Sequence, residues 1–150
     1  QALSNPYTGC IAIFAVQLLH NKSPLVFEDG RQLRDFIYVK DVAKATALAL
    51  ESNAGDYQAL NVGTGKPTAI VELAEKLSRL SGKNLKPLIL NKHRIGDVRS
   101  CYADITKMKR LKFQPDYSLD KGLRETLDWV RSQSLPRDLV KPILQDFKPH

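Results

Sequence analysis

A chain of 150 residues is about one domain, long enough to bury roughly two-thirds of its unfolded surface around a single core. With 43% hydrophobic and 26% charged residues, a mean hydropathy of −0.30 and no long apolar run or signal-like start, it excludes a membrane protein built of spanning helices and is expected in the cytoplasm. The net charge of +7, from 23 Lys and Arg against 16 Asp and Glu, admits an acidic partner, but the basic residues are scattered and no aromatic-interleaved stripe accompanies them, which argues against nucleic acid.

In chain order, Ile11, Phe14, Ala15 and Leu18 recur at helical spacing, and His20-Asn21-Lys22 closes that helix with polar residues. Pro24-Leu25-Val26-Phe27 reads as a strand, Glu28-Asp29-Gly30 as a turn, and Arg34 to Val39 as a second strand. Asp41 is the expected N-cap of a helix running to Leu50, with Val42, Ala45 and Ala49 on a face of small residues. Ala59-Leu60-Asn61-Val62 reads as a short buried strand, and Thr68 as the opening of a helix whose Ile70, Leu73, Ala74, Leu77 and Leu80 share one side before Gly82 ends it. A strand at Pro87 to Leu90 and a loop to Asp97 follow. A short helix capped by Asp104 then carries Lys107-Met108-Lys109-Arg110-Leu111-Lys112, with Ile105, Met108 and Leu111 inward and the basic residues in water. Ser118 is the expected N-cap of a helix to about Arg131 built on Leu119, Leu123, Leu127 and Val130, and the tail from Ser134 has three prolines and no period.

Three blocks stand in order: Gly30-Arg31-Gln32-Leu33-Arg34-Asp35-Phe36-Ile37-Tyr38-Val39-Lys40-Asp41-Val42, then Asn61-Val62-Gly63-Thr64-Gly65, then Arg94-Ile95-Gly96-Asp97. Together they resemble the nucleotide-sugar-binding part of an extended short-chain dehydrogenase of the NAD-dependent epimerase/dehydratase family, such as the UDP-sugar 4-epimerases. The resemblance covers about Gln1 to Trp129 and implies the fold class: α/β, the C-terminal lobe of that fold, with a small mixed sheet and helices and the Rossmann lobe largely missing. It places a nucleotide-sugar-binding domain at 1–133, with a late Rossmann strand near 59–62, and a tail at 134–150. Because the first residue is Gln1 and the sole methionine is Met108, the chain is expected to be a piece of a longer protein.

The resemblance also implies the site. Arg34 and Arg94 would hold the nucleotide diphosphate, for which the planar, forked guanidinium is suited, and Asp97 would receive a ribose hydroxyl. Leu25, Val26 and Phe27 would offer strand-edge backbone groups to the base; an ordinary core strand accounts for them equally well. Within Asn5 to Gly9, Thr8 would line the sugar pocket. The ligand implied is a nucleotide sugar, a UDP-sugar foremost, and the full-length family uses NAD and is usually a homodimer. The family's catalytic Tyr-x-x-x-Lys pair and glycine-rich fingerprint belong upstream, so no catalytic residue is assigned, no NAD is expected on this chain alone, and its partner would be the missing N-terminal lobe.

Three motifs are decoys. Gly63-Thr64-Gly65 sits between strand and helix as a dinucleotide fingerprint would, but the third glycine falls at Thr68. Gly65-Lys66-Pro67-Thr68 imitates a phosphate loop interrupted by proline. Tyr117-Ser118-Leu119-Asp120-Lys121 has the catalytic spacing, yet with Ser118 as N-cap the tyrosine lies outside the helix and is expected to point away from Lys121. Cys10 and Cys101 have no partner at metal-ligand spacing, so no metal site is expected and both are read as reduced structural thiols. A free-standing nucleotide-sugar-binding module and a basic interaction domain without a small ligand are the alternatives.

Overall fold

The computed structural model describes residue 3 and residues 9–92 and 97–135; Thr8, Arg94 and the chain from 136 onward lie outside the described residues. The elements in order are α1 (Cys10–Leu19), β1 (Leu25–Val26), β2 (Leu33–Asp35), α2 (Val39–Glu51), β3 (Pro67–Ala69), α3 (Ile70–Leu80), β4 (Leu88–Ile89), β5 (Ser100–Cys101), α4 (Thr106–Arg110) and α5 (Leu119–Arg131). Among the described residues the strands form two small sheets. In one, β1 lies parallel to β4, with Leu25 opposite Leu88 and Val26 opposite Ile89. In the other, β2 is central, antiparallel to β3 and parallel to β5. This is the mixed α/β arrangement expected from the sequence.

The main core is a three-helix contact. α1 buries Phe14 through Leu18, α3 contributes Leu73, Ala74 and Leu77, and α5 contributes Leu123, Leu127 and Val130, with Val26 of β1 beneath them. Each leucine fully removed from water is worth about 1.5–3 kcal/mol, so the helical spacing of these residues decides which faces meet. A satellite cluster of Ala45, Met108 and Phe113 joins α2 to α4, and Met108 is buried among exposed Lys107, Lys109 and Arg110 as the spacing required.

Several local expectations are corrected. The second strand covers Leu33–Asp35 rather than Arg34 to Val39, because helix α2 begins at Val39, two residues before Asp41. Asp41 is therefore not the N-cap. It lies in the first turn, 1% exposed, and its carboxylate accepts from the backbone N–H of Asp116 (2.8 Å) and of Tyr117 (3.1 Å), pinning the approach to α5 against α2. Thr68 pairs with Arg34 inside β3, and α3 starts two residues later from Ala69. No strand forms at Ala59 to Val62 among the described residues: exposed and half-buried residues alternate there, but no described strand pairs with it. Asp104 precedes the N-cap Ile105 and holds the N–H and hydroxyl of Thr106. The closing signals hold: Asn21 takes a left-handed φ of 56° at the end of α1, Gly82 one of 77° after α3, and the Ser118 hydroxyl accepts from Lys121 N–H at the start of α5. Among the described residues no helix is long and apolar enough to cross a membrane.

Candidate anion-binding site

Arg34 is the middle residue of the central strand, opposite Thr68 of β3 on one side and Cys101 of β5 on the other. Ladders on both sides fix its backbone. Its side chain is half-buried; Nη1 donates to the Leu33 carbonyl (2.8 Å), and among the described residues it forms no ion pair with a carboxylate. Arg99 is the opposite case. Nη1 and Nη2 meet Asp29 Oδ1 and Oδ2 at 2.6 and 2.8 Å, and Nη1 also reaches Glu28 Oε2 at 3.1 Å. That fork holds the Asp29 carboxyl well below the usual carboxylate range and keeps Arg99 charged.

The Arg99 fork ties the turn after β1 to the segment entering β5, and Leu33 N–H donates to the Arg99 carbonyl at 2.9 Å. Arg99 is thus tied both to the turn that follows Leu25 to Phe27 and to Leu33, the residue before Arg34, and Asp97 stands exposed two residues ahead of it. The β1 edge is not wholly free to read a base. Pro24 and Val26 carbonyls accept from Leu88 and Leu90 N–H, Leu25 N–H donates to Gln17 Oε1 (3.1 Å), and the Phe27 carbonyl accepts from Gly30 N–H and Gln32 Nε2. Val26 is fully buried as a core residue. Gln32 is buried as well, and its Oε1 has no hydrogen-bond partner among the described residues.

Sequence reasoning missed Arg99 and Asp35. Asp35 Oδ2 accepts from Gly65 N–H (2.8 Å), Thr64 N–H (3.1 Å) and Ala103 N–H (3.4 Å); Oδ1 accepts from Thr64 N–H (3.0 Å) and the Thr64 hydroxyl. Two successive N–H groups and a hydroxyl converging on one anion are what a phosphate cradle offers, and here the chain's own carboxylate fills it. The glycine at 63 follows from that: a Cβ there would lie 2.6 Å from Asp35 Oδ2 and 2.7 Å from the Ala103 methyl. The Gly63-Thr64-Gly65 turn therefore does not fit the diphosphate of NAD. The signal available in the sequence was the acidic residue directly after Arg34, at a distance from the turn that only the fold reveals.

The Tyr117 spacing resolves differently from expectation. Tyr117 does precede the N-cap, but Lys121 Nζ stands 3.8 Å from its ring centroid, so the two side chains meet. The ammonium covers the ring face, attracted by the π-electron density. On its other side Tyr117 stacks on Tyr38 at 4.4 Å, and Tyr38 OH and Lys40 Nζ both donate to Glu125 Oε2, at 2.8 and 2.9 Å. Those donors hold the Glu125 carboxyl below its ordinary value, while burial and then the neighbouring carboxylate push the Tyr38 hydroxyl up. The cluster fastens α5 to the start of α2. An open concavity of about 820 Å³ lies beyond the Gly63–Gly65 turn, between Lys66, Lys109 and Phe113, and among the described residues none of the predicted site residues lines it.

Comparison with known proteins agrees with the block order and the fold. The sequence profile of the NAD dependent epimerase/dehydratase family matches residues 3–63. The chain is similar to the UDP-glucuronate 4-epimerase of Thermodesulfobacterium geofontis, 36% identical over 131 residues, 85% of this chain and 39% of that protein. Among solved structures it matches the UDP-glucose 4-epimerase of Thermotoga maritima with UDP-glucose (TM-score 0.77, 37% identity, 85% of this chain and 41% of that one). It also matches the UDP-N-acetylglucosamine 4-epimerase of Methanobrevibacter ruminantium in complex with UDP-N-acetylmuramic acid (TM-score 0.80, 38% identity, 89% and 43%). The chain belongs to the NAD-dependent epimerase/dehydratase family. It spans about 40% of the length of these relatives, and its fold corresponds to that share of an epimerase.

Proposed function

We propose that this chain is the substrate-anchoring part of an NAD-dependent nucleotide-sugar epimerase or dehydratase and that it grips the diphosphate of a nucleotide sugar, a UDP-sugar foremost. The observation that carries this reading is Arg34: a half-buried arginine held by ladders on both sides and paired with no carboxylate among the described residues. Desolvating a cation without a counterion is costly, and an incoming phosphate relieves that cost with two parallel hydrogen bonds. Arg94 would supply the second cation, Asp97 the acceptor for a ribose hydroxyl, Leu25 to Phe27 the strand beside the base, and Thr8 the sugar pocket. Binding energy taken from the non-reacting nucleotide leaves the sugar free to turn while its reactive carbon is oxidised and reduced.

The catalytic Tyr-Lys pair and the NAD site belong to the part of the enzyme this chain does not contain, so the chain alone is incomplete for catalysis. The exposed face of α2 supports that reading. Val39 (68% exposed), Val42, Ala43, Ala47 and Leu50 (84% exposed) follow one another at helical spacing with no cover among the described residues, which is the pattern of a surface that meets another part of a fold.

Calorimetric titration with UDP, on the chain alone and on the chain joined to the N-terminal lobe of a relative, tests the anchor. Arg34→Ala and Arg94→Ala should each cost about 1.5–3 kcal/mol, roughly ten- to a hundredfold in affinity, while Lys109→Ala and Arg110→Ala leave it nearly unchanged. Equal small losses in all four, vanishing together at high salt, would show diffuse charge attraction and no specific site.

A further inference from the structure

We propose that Asp35 is the positioning residue for Arg34, setting where the guanidinium stands by locking both seams of the central strand at one end. The inference rests on the reading of Arg34 as the anion grip and extends it to a residue that touches no ligand. Successive residues of a strand point to opposite faces, so Arg34 and Asp35 act on different sides of the sheet while sharing one stretch of backbone. The β2–β5 ladder ends at the pair Arg34–Cys101, and the antiparallel seam with β3 ends at Asp35–Pro67. Just beyond those ends the Asp35 carboxylate reaches across both seams. It takes Ala103 N–H past β5, and Thr64 and Gly65 N–H ahead of β3.

Strands of two or three residues have few ladder bonds of their own and are marginal in isolation. The β3 seam is closed by short bonds from Thr64 and Gly65 N–H and the β5 seam by a longer contact of 3.4 Å from Ala103 N–H, so one carboxylate restrains β2 on both sides beside Arg34. The site requires a carboxylate in particular. Every group it meets is a donor, so an amide would turn its NH2 toward at least one N–H and be repelled. Glycine at 63 leaves the bay open for it.

The test uses the 150-residue chain and the variants Asp35→Asn, Arg34→Ala and the pair together, with two readouts. In the first, UDP titration, Asp35→Asn should weaken binding about tenfold, and the double variant should be no weaker than Arg34→Ala alone, since a positioning residue has nothing left to position. In the second, without ligand, NMR relaxation of the Arg34 Nε–H should show a rigid side chain in the parent and a mobile one in Asp35→Asn, with the Leu73 and Leu127 methyls unchanged. If Asp35→Asn fails to fold, Thr64→Val removes the hydroxyl's bond to Asp35 together with the exposed Lys66 N–H bond to that hydroxyl, leaves the backbone N–H bonds to the carboxylate in place, and should shift both readouts in the same direction by about two- to threefold. Losses that multiply independently in the double variant, or an Arg34 signal unaltered by the change at 35, overturn the proposal. If the parent binds no UDP, the reading of Arg34 as an anchor fails, and the relaxation measurement still decides whether Asp35 holds it.

Discussion

Gly63→Ala separates a glycine kept for a cofactor phosphate from one kept for the protein's own carboxylate. The new Cβ would stand 2.6 Å from Asp35 Oδ2 and 2.7 Å from the Ala103 Cβ, where ordinary contact begins at 3.4 Å. Relieving the first contact takes a displacement of about 0.8 Å (3.4 minus 2.6). Displaced that far along those bonds, Oδ2 loses the 2.8 Å bond from Gly65 N–H and the 3.1 Å bond from Thr64 N–H. Two bonds to a charged group are worth about 1.5–3 kcal/mol each. Because Asp35 is half-buried, water recovers part of that, leaving a net loss of about 3 kcal/mol. For a chain of this length the loss lowers the melting temperature by roughly 6–12 °C. Thermal unfolding followed by circular dichroism measures it, and Gly82→Ala serves as control: its φ is strained, but its Cβ would meet nothing within 4 Å, so only about 1 kcal/mol is expected. A Gly63→Ala variant that melts with the parent, or no lower than Gly82→Ala, would refute the argument that Asp35 fills the turn.

Two further outcomes follow from the titrating groups. Burial pushes the Cys10 thiol up to about 11, so almost no thiolate exists at pH 7.5, whereas Cys101 is exposed. A disulfide-exchange reagent should therefore titrate one thiol quickly and the second slowly, with Cys101→Ser abolishing the fast phase; two fast thiols would contradict the raised pKa of Cys10. Glu125 has a carboxyl pKa below its usual 4.5, held there by Lys40 first and Tyr38 next. A depressed carboxylate adds stability that is complete above its ordinary value and is lost as pH falls through the lower one. The tyrosine near-UV signal of the Tyr38–Tyr117 stack should thus hold from pH 7 to about pH 4.5 and collapse only below it, while Glu125→Gln shows a reduced signal and no such step.

What could be read from the sequence was set by local chemistry. Helical periodicity identified α1, α3 and α5 with their buried faces, since Leu73, Leu77, Leu123 and Leu127 recur at a spacing that leaves one side for the core. Left-handed residues at Asn21 and Gly82 and the hydroxyl of Ser118 marked helix ends because their bonding is completed within a few residues. The block order carried the family. Tertiary structure alone decided the rest, for a physical reason: a strand of two or three residues exists only where a partner supplies its ladder. So Thr68 became strand rather than helix start by pairing with Arg34, and Ser100–Cys101 became a strand without any pattern to announce it. The segment at Ala59 to Val62 has no ladder partner among the described residues, although its composition favours a strand. Carboxylates behave in the same way. Asp41 looked like a helix cap and became a buried clamp on residues 116 and 117, and Asp35 came to fill the Gly63–Gly65 turn, because an acceptor takes whichever N–H groups the fold brings to it, and sequence distance does not record that.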